Sequence, residues 1–209
     1  MANTFSPFGF RTFGDQDGAA PTMGLTRFNL ASSDTNNYFT GDVVALSTTI
    51  LGNFIAPPSS GTTLGNPILG IFVGCEFFSP TVGRNVFSPN FAASVGSSNN
   101  GSAYVITDPN QLFTVQGTTT AVLGTSAIGL TVGFASSLQA TGNTLSGISN
   151  VALNSSTAGT NATAPFRIVD VSCNYAPPGT NGTDSASAGA ILVVQFNNQY
   201  RRTVTALST

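Results

Sequence analysis

Apolar positions along the 209-residue chain come in short runs separated by clusters of Gly, Pro, Ser, Thr and Asn. That is the pattern of strands joined by polar turns. LTRFNLAS (Leu25–Ser32) alternates apolar and polar residues, as a half-buried strand does. After the turn-rich SDTNNYFTGD, DVVALST (Asp42–Thr48) reads as the next strand. ILGIFVGCEFF (Ile68–Phe78) is the most apolar stretch and is predicted to be a central strand bent at its glycines. AYVITD and QLFTVQG form two short strands around the turn Asp108-Pro109-Asn110. GLTVGFASSL (Gly129–Leu138) suits a strand or a short helix. FRIVDVSCNY (Phe166–Tyr175) and AGAILVVQFNNQYRR (Ala188–Arg202) are the last strong strands.

Between them lie loops at Gly14–Gly24, Pro57–Pro67, Ala176–Ser187 and, longest, Ser79–Ser102. The longest carries an exposed-looking aromatic pair, Phe87 and Phe91, and loops of this length are usually functional or flexible. No fixed-period repeat or linker divides the chain. The expected fold is one all-β domain over residues 1–209, an antiparallel sandwich or barrel with long Gly/Ser/Asn-rich loops. Residues 1–24 form an N-terminal arm and loop.

The arm departs from the pattern. FSPFGFRTFG places Phe5, Phe8, Phe10 and Phe13 near a chain end, broken up by Pro7 and Gly9. Burying one such ring is worth roughly 1.5–3 kcal/mol. Two homes are open: the bottom of the protein's own barrel, or a groove formed by a neighbour. Pro7 and Gly9 disrupt a regular strand there, which favours the neighbour.

Composition sharpens the class. Charged residues make up 7% of the chain; there is no Lys, His or Trp, and Glu76 is the only glutamate. A net charge of −2 argues against coating nucleic acid, which needs several cations on one face. Few charges also leave little repulsion between copies, as in assembled β-rich coats. No stretch reaches the length of a membrane helix, and the opening lacks a basic segment followed by an apolar run. The expectation is a protein without membrane contact and without a standard export signal. The sequons at Asn100, Asn154, Asn161 and Asn181 are expected by chance in a chain so rich in Asn, Ser and Thr. Cys75 and Cys173 read as two buried thiols, with a single bridge as the other option.

Candidate chemistry is sparse. Without His or Lys there is no imidazole base, Ser-His pair or Schiff-base lysine, so no catalytic residue, cofactor or metal is expected. DQDG (Asp15–Gly18) starts like a calcium loop but lacks the remaining ligands, and reads as a solvated turn. Arg201-Arg202 either grips an acidic partner or is a solvated strand end.

Six stretches in order carry a resemblance: PFGF (Pro7–Phe10), TGDVVAL (Thr40–Leu46), ILGIFVG (Ile68–Gly74), AYVITDPNQLFTVQ (Ala103–Gln116), FRIVDV (Phe166–Val171) and ILVVQFNNQYRR (Ile191–Arg202). They resemble a family of tailed-bacteriophage virion proteins that decorate or cement the head and are encoded beside the major capsid protein. The family often has a tryptophan in its middle loop and a double aspartate before the proline; here Ser79–Ser102 has no Trp and the turn reads Thr107-Asp108-Pro109. The resemblance implies a non-enzymatic structural protein on the outer surface of a phage capsid. Its expected partners are the major capsid protein and itself, as a homotrimer. Expected contact residues are Phe5, Pro7, Phe8, Phe10, Phe87, Phe91, Arg201 and Arg202. The alternative is a host-recognition or carbohydrate-binding β-domain, with Tyr38, Tyr104, Tyr175 and the loop phenylalanines stacking on sugars.

Overall fold

The computed structural model describes residues 3–18, 24–50, 52–61, 67–93, 100–171 and 184–202. The protein is all-β, and its strands pair antiparallel. In chain order the strands are β1 (Arg11–Asp15), β2 (Leu25–Leu30), β3 (Tyr38–Phe39), β4 (Val43–Leu46) and β5 (Ile55–Ala56). There follow β6 (Gly70–Ser79), β7 (Arg84–Ser88), β8 (Asn90–Phe91), β9 (Gly101–Ile106), β10 (Gln111–Gln116) and β11 (Thr131–Phe134). The last five are β12 (Gly142–Asn143), β13 (Ile148–Ser149), β14 (Leu153–Gly159), β15 (Phe166–Val171) and β16 (Ile191–Phe196).

One sheet runs β1-β10-β16-β15-β11-β14. It nearly closes on itself, because Gly117, just after β10, bridges to Leu153 at the start of β14. The second sheet runs β2-β9-β6-β4-β5, with β7 also paired to β6. The Asp108 turn carries the chain from β9 in the second sheet to β10 in the first. It is an Asx turn, closed by the Asn110 N–H donating to Asp108 Oδ1 at 2.9 Å.

The second sheet is apolar on both faces, and that explains its near-continuous hydrophobic sequence. Val43, Ile68, Ile71 and Ile106 face the barrel and join its core. Their neighbours Val44, Leu69, Phe72 and Val105 face the other way, into a second core with Leu30, Tyr38, Ile55 and Phe91. Successive side chains on a strand point to opposite faces, so each adjacent pair serves both cores. In β6 the register slips between Phe72 and Gly74. The extra residue, Val73, reverses the alternation. Cys75 and Phe77 therefore join Phe72 in the second core, where regular alternation would put them on the face of Ile71.

Three segments differ from the sequence expectation. Ser79–Ser102 is not one long loop: β6 and β7 form a hairpin, and β8 pairs with β3. Gly129–Leu138 is both options in succession, strand β11 and then a 3₁₀ turn at Ser136–Leu138. The arm is not free. Arg11–Asp15 is an edge strand on β10, and Asn3–Phe10 is a strap tied across the barrel. The Asn3 amide donates to three carbonyls, those of Asp184, Ser187 and Ala188. Gln116 donates to Thr4 O and accepts from the Ser6 N–H.

The strap ends in Phe10, which is 3% exposed within the barrel core. Its ring stacks on Phe166 at 4.4 Å and meets Phe113 edge-on at 6.3 Å; Phe196 packs against both partners. Entry is possible because Gly9 (φ 72°) and Gly41 (φ 98°) lie face to face. A Cβ on Gly9 would sit 2.9 Å from Ser149 Cβ, and one on Gly41 2.9 Å from Phe10 N. Phe10→Ala is expected to cost about 3–5 kcal/mol by chemical denaturation of the isolated protein. Phe13, 46% exposed on the edge strand, is expected to change stability by less than about 0.5 kcal/mol when replaced by Ala. Equal effects at the two positions would contradict this division.

Candidate functional site

The expected contact residues divide by burial. Phe10 and Phe91 are each 3% exposed and lie in the protein's own two cores, so they offer no surface to a partner. The arm's apolar content outweighed the breaks at Pro7 and Gly9, because an irregular strap can still place one ring inward. Phe5 and Phe13 stay exposed, and Pro7 and Phe8 are half-buried. The Arg11 guanidinium lies 5.7 Å above the Phe8 ring, a cation–π contact.

Phe8 is the ridge between two hollows of about 360 Å³ each. One is walled by Thr4, Ser6, Gln116 and Ile191. The other is lined by Arg11, Val73, Pro89 and Ile148, with Phe10 at its base. The ridge is fixed at both ends by the Asn3 and Gln116 hydrogen bonds and by Phe10 N donating to Gly41 O at 3.1 Å. A partner would meet a surface already ordered, with little entropy left to lose.

The remaining candidates lie elsewhere. Phe87 on β7 is exposed and its ring stacks beside Tyr104, centroids 6.2 Å apart. Arg201 and Arg202 are exposed and fold back over the β9–β10 side. Arg201 donates to Thr26 Oγ1 at 3.3 Å, and Arg202 to Pro109 O at 2.7 Å. Tyr38 is fully buried, and its hydroxyl donates to Asp34 Oδ2 at 2.6 Å. Burial and then Asp34 raise its pKa far above the ordinary value, so it is a structural residue with no face for a sugar. Tyr175 and Cys173 lie outside the described residues. Cys75 is a free thiol, 1% exposed, and burial pushes its pKa up to about 12. It is inert packing. The DQDG segment is a simple turn, with Asp15 Oδ1 accepting from the Asp17 N–H at 3.2 Å. Among the described residues no three His, Cys, Asp or Glu side chains gather to hold a metal.

One polar cluster that the sequence reading passed over is buried at the centre. Asp42 has no exposed surface; it accepts from Ser149 Oγ at 2.6 Å and from the Phe39 N–H at 2.8 Å. The backbone of Ala140, the one described non-glycine residue at positive φ (61°), also hydrogen-bonds it. Thr40 N donates to Gly147 O, Ser149 N to Thr40 O, and Gly41 N to Phe72 O. The backbone of Thr40–Asp42 joins the strap, the central strand and the β12–β13 hairpin, and the carboxylate braces that corner through Phe39, Ala140 and Ser149. Desolvation dominates its titration and raises its pKa from 3.8 to about 7, against the pull of its three hydrogen bonds. Its solvent-free position makes it a joint rather than a reaction centre.

Because the folded value lies above the unfolded one, Asp42 favours folding fully below pH 3.8, and that contribution is lost as pH rises through about 7. Asp42→Asn resembles the protonated acid: its amide donates to Ser149 and its oxygen accepts from Phe39. The variant is expected to flatten stability across that window, read by denaturation at a series of pH values. Asp42→Ala, which strands the Phe39 N–H, is expected to lose about 1–3 kcal/mol below pH 3.8 and less as pH rises through about 7. A wild-type slope retained in Asp42→Asn would assign the titration to another group.

Among known proteins, no family model matches the chain, and no curated protein matches it in sequence.

Proposed function

We propose that the chain is a structural virion protein that binds the outer surface of a tailed-phage head, against the major capsid protein, and stabilises the shell. The observation that carries this reading is the ordered set of six stretches, from Pro7–Phe10 to Ile191–Arg202, that resemble head decoration proteins. The geometry is compatible with the task. The residues of these stretches build joints between the sheets: the Phe10 plug, the Gly41–Asp42 corner and the Gln199 clamp, whose amide donates to Leu69 O and Thr107 O.

Cementing requires a stiff body and an apolar contact, and no reacting group. The Phe8 ridge with its flanking hollows, continued by exposed Phe5 and Phe13, is the contact this reading favours. Few charges mean that apolar burial dominates the contact and salt screens it little. Repetition over a shell multiplies weak contacts by avidity. On this reading the working unit is a homotrimer, as for decoration proteins at three-fold positions.

Heads assembled without the protein are expected to release DNA at a lower temperature than decorated heads; equal release temperatures would count against cementing. The exposed pair supplies the surface test. Phe5→Asp with Phe13→Asp is expected to leave the melting of the isolated protein within a few degrees of wild type, while occupancy on heads drops. Undiminished occupancy would move the contact away from the strap. Native mass measurement is expected to give three copies, and a monomer alone would remove the trimer.

A further inference from the structure

The face of the second sheet turned away from the second core carries a feature outside the contact favoured for the shell. The bulge at Val73 sets Gly74 and Glu76 on the side away from the second core. On the flanking strands Tyr104 pairs with Gly74, and Phe87 with Glu76. Gly74 contributes no side chain, and the Tyr104 and Phe87 rings stack 20° from parallel with centroids 6.2 Å apart. Phe87 is 75% exposed, unusual for a phenylalanine on a paired strand. Leu25, 49% exposed, extends the same shallow hollow of about 360 Å³.

The platform has a polar margin. The Tyr104 hydroxyl donates to Glu76 Oε2 at 3.3 Å. Arg27, directly across from Tyr104 on β2, is steadied by Nε donating to Ser102 Oγ at 2.7 Å. Both charged side chains border an adjoining hollow of about 260 Å³, together with Asn85 and Asn100. Among the described residues, Arg27 keeps a terminal nitrogen, and Glu76 an oxygen, without a protein partner.

We propose that this face binds a neutral saccharide chain, one sugar ring on the Tyr104–Phe87 platform and the hydroxyls of the next on Arg27 and Glu76. Aromatic faces carry partial negative charge, which attracts the weakly positive C–H face of a pyranose. A guanidinium and a carboxylate bordering one hollow supply both a donor and an acceptor, and their opposite charges disfavour an ionic ligand. An apolar protein segment would leave both charges facing it unpaired, at a desolvation cost. The platform's hollow meets one flank of the Phe8 ridge at Val73 and Pro89, while the two rings, Arg27 and Glu76 lie outside that ridge, and sugar binding does not depend on shell binding.

The test uses the full chain with four neutral hexasaccharides: cellohexaose, maltohexaose, laminarihexaose and chitohexaose. Saturation-transfer NMR and calorimetry at millimolar sugar are expected to detect binding to at least one. Phe87→Ala is expected to weaken that binding about tenfold or more, equivalent to roughly 1.4 kcal/mol, without shifting the melting temperature. Arg27→Met is expected to weaken it while leaving the platform intact. No binding to any of the four, or binding unchanged in Phe87→Ala, overturns the proposal. Head occupancy, measured on the same Phe87→Ala protein, is expected to be unchanged. A loss of occupancy with no sugar binding would instead assign the platform to the shell.

Discussion

The backbone contact between Gly9 and Gly41 is the constraint on which the molecule turns. A side chain at either position would force the strap outward by the width of a methyl group. Phe10 would leave its place against Phe166, and the Gly41 carbonyl would lose its donor. Directly beside this contact, Asp42 gathers Phe39, Ala140 and Ser149 around one buried carboxyl. Two sheets, a hairpin and the chain's beginning are thereby held at a single corner.

Amides do most of the remaining tying. Asn3, Gln116 and Gln199 each bond to carbonyls distant in sequence, and together they hold both ends of the described chain onto the body. Neutral hydrogen bonds of this kind need no counter-charge and suffer little from salt. A chain so poor in ionic residues can therefore still have well-fixed ends. The second sheet, apolar on both faces, then acts as the shared wall between two cores, and its bulge allots residues to each.

Much of this was legible in the residues. Alternation in Leu25–Ser32 and the apolar density of Ile68–Phe78 pointed to β2 and a central β6, since period-two burial leaves a direct trace. Very short strands such as β3, β5 and β8 left none: two residues make no period, and their pairing is set by the second core they cover. Tertiary context also decided the arm. Pro7 and Gly9 do exclude a regular strand, but only the facing glycine, thirty-two residues later, reveals where the ring goes. Asp42 was passed over because one aspartate in a turn looks solvated until Ser149 is seen beside it. Tyr104 and Phe87 were legible as separate sugar-stacking candidates, but their pairing was hidden, because only the register of β6 with β7 and β9 brings them together.

The seating of Phe10 also orders events in time. Its stacking partner is Phe166, the next ring is Phe196, and the strap is held by Gln116 and by residues beyond 183. A ribosome makes the strap well before its socket. Until then the strap's phenylalanines have no place to go, and the barrel closes only after Phe196 has emerged. Contacts this distant in sequence are slow to form. The nascent protein is at its most adhesive just before β16 emerges, when chaperones or crowded neighbours compete for the strap.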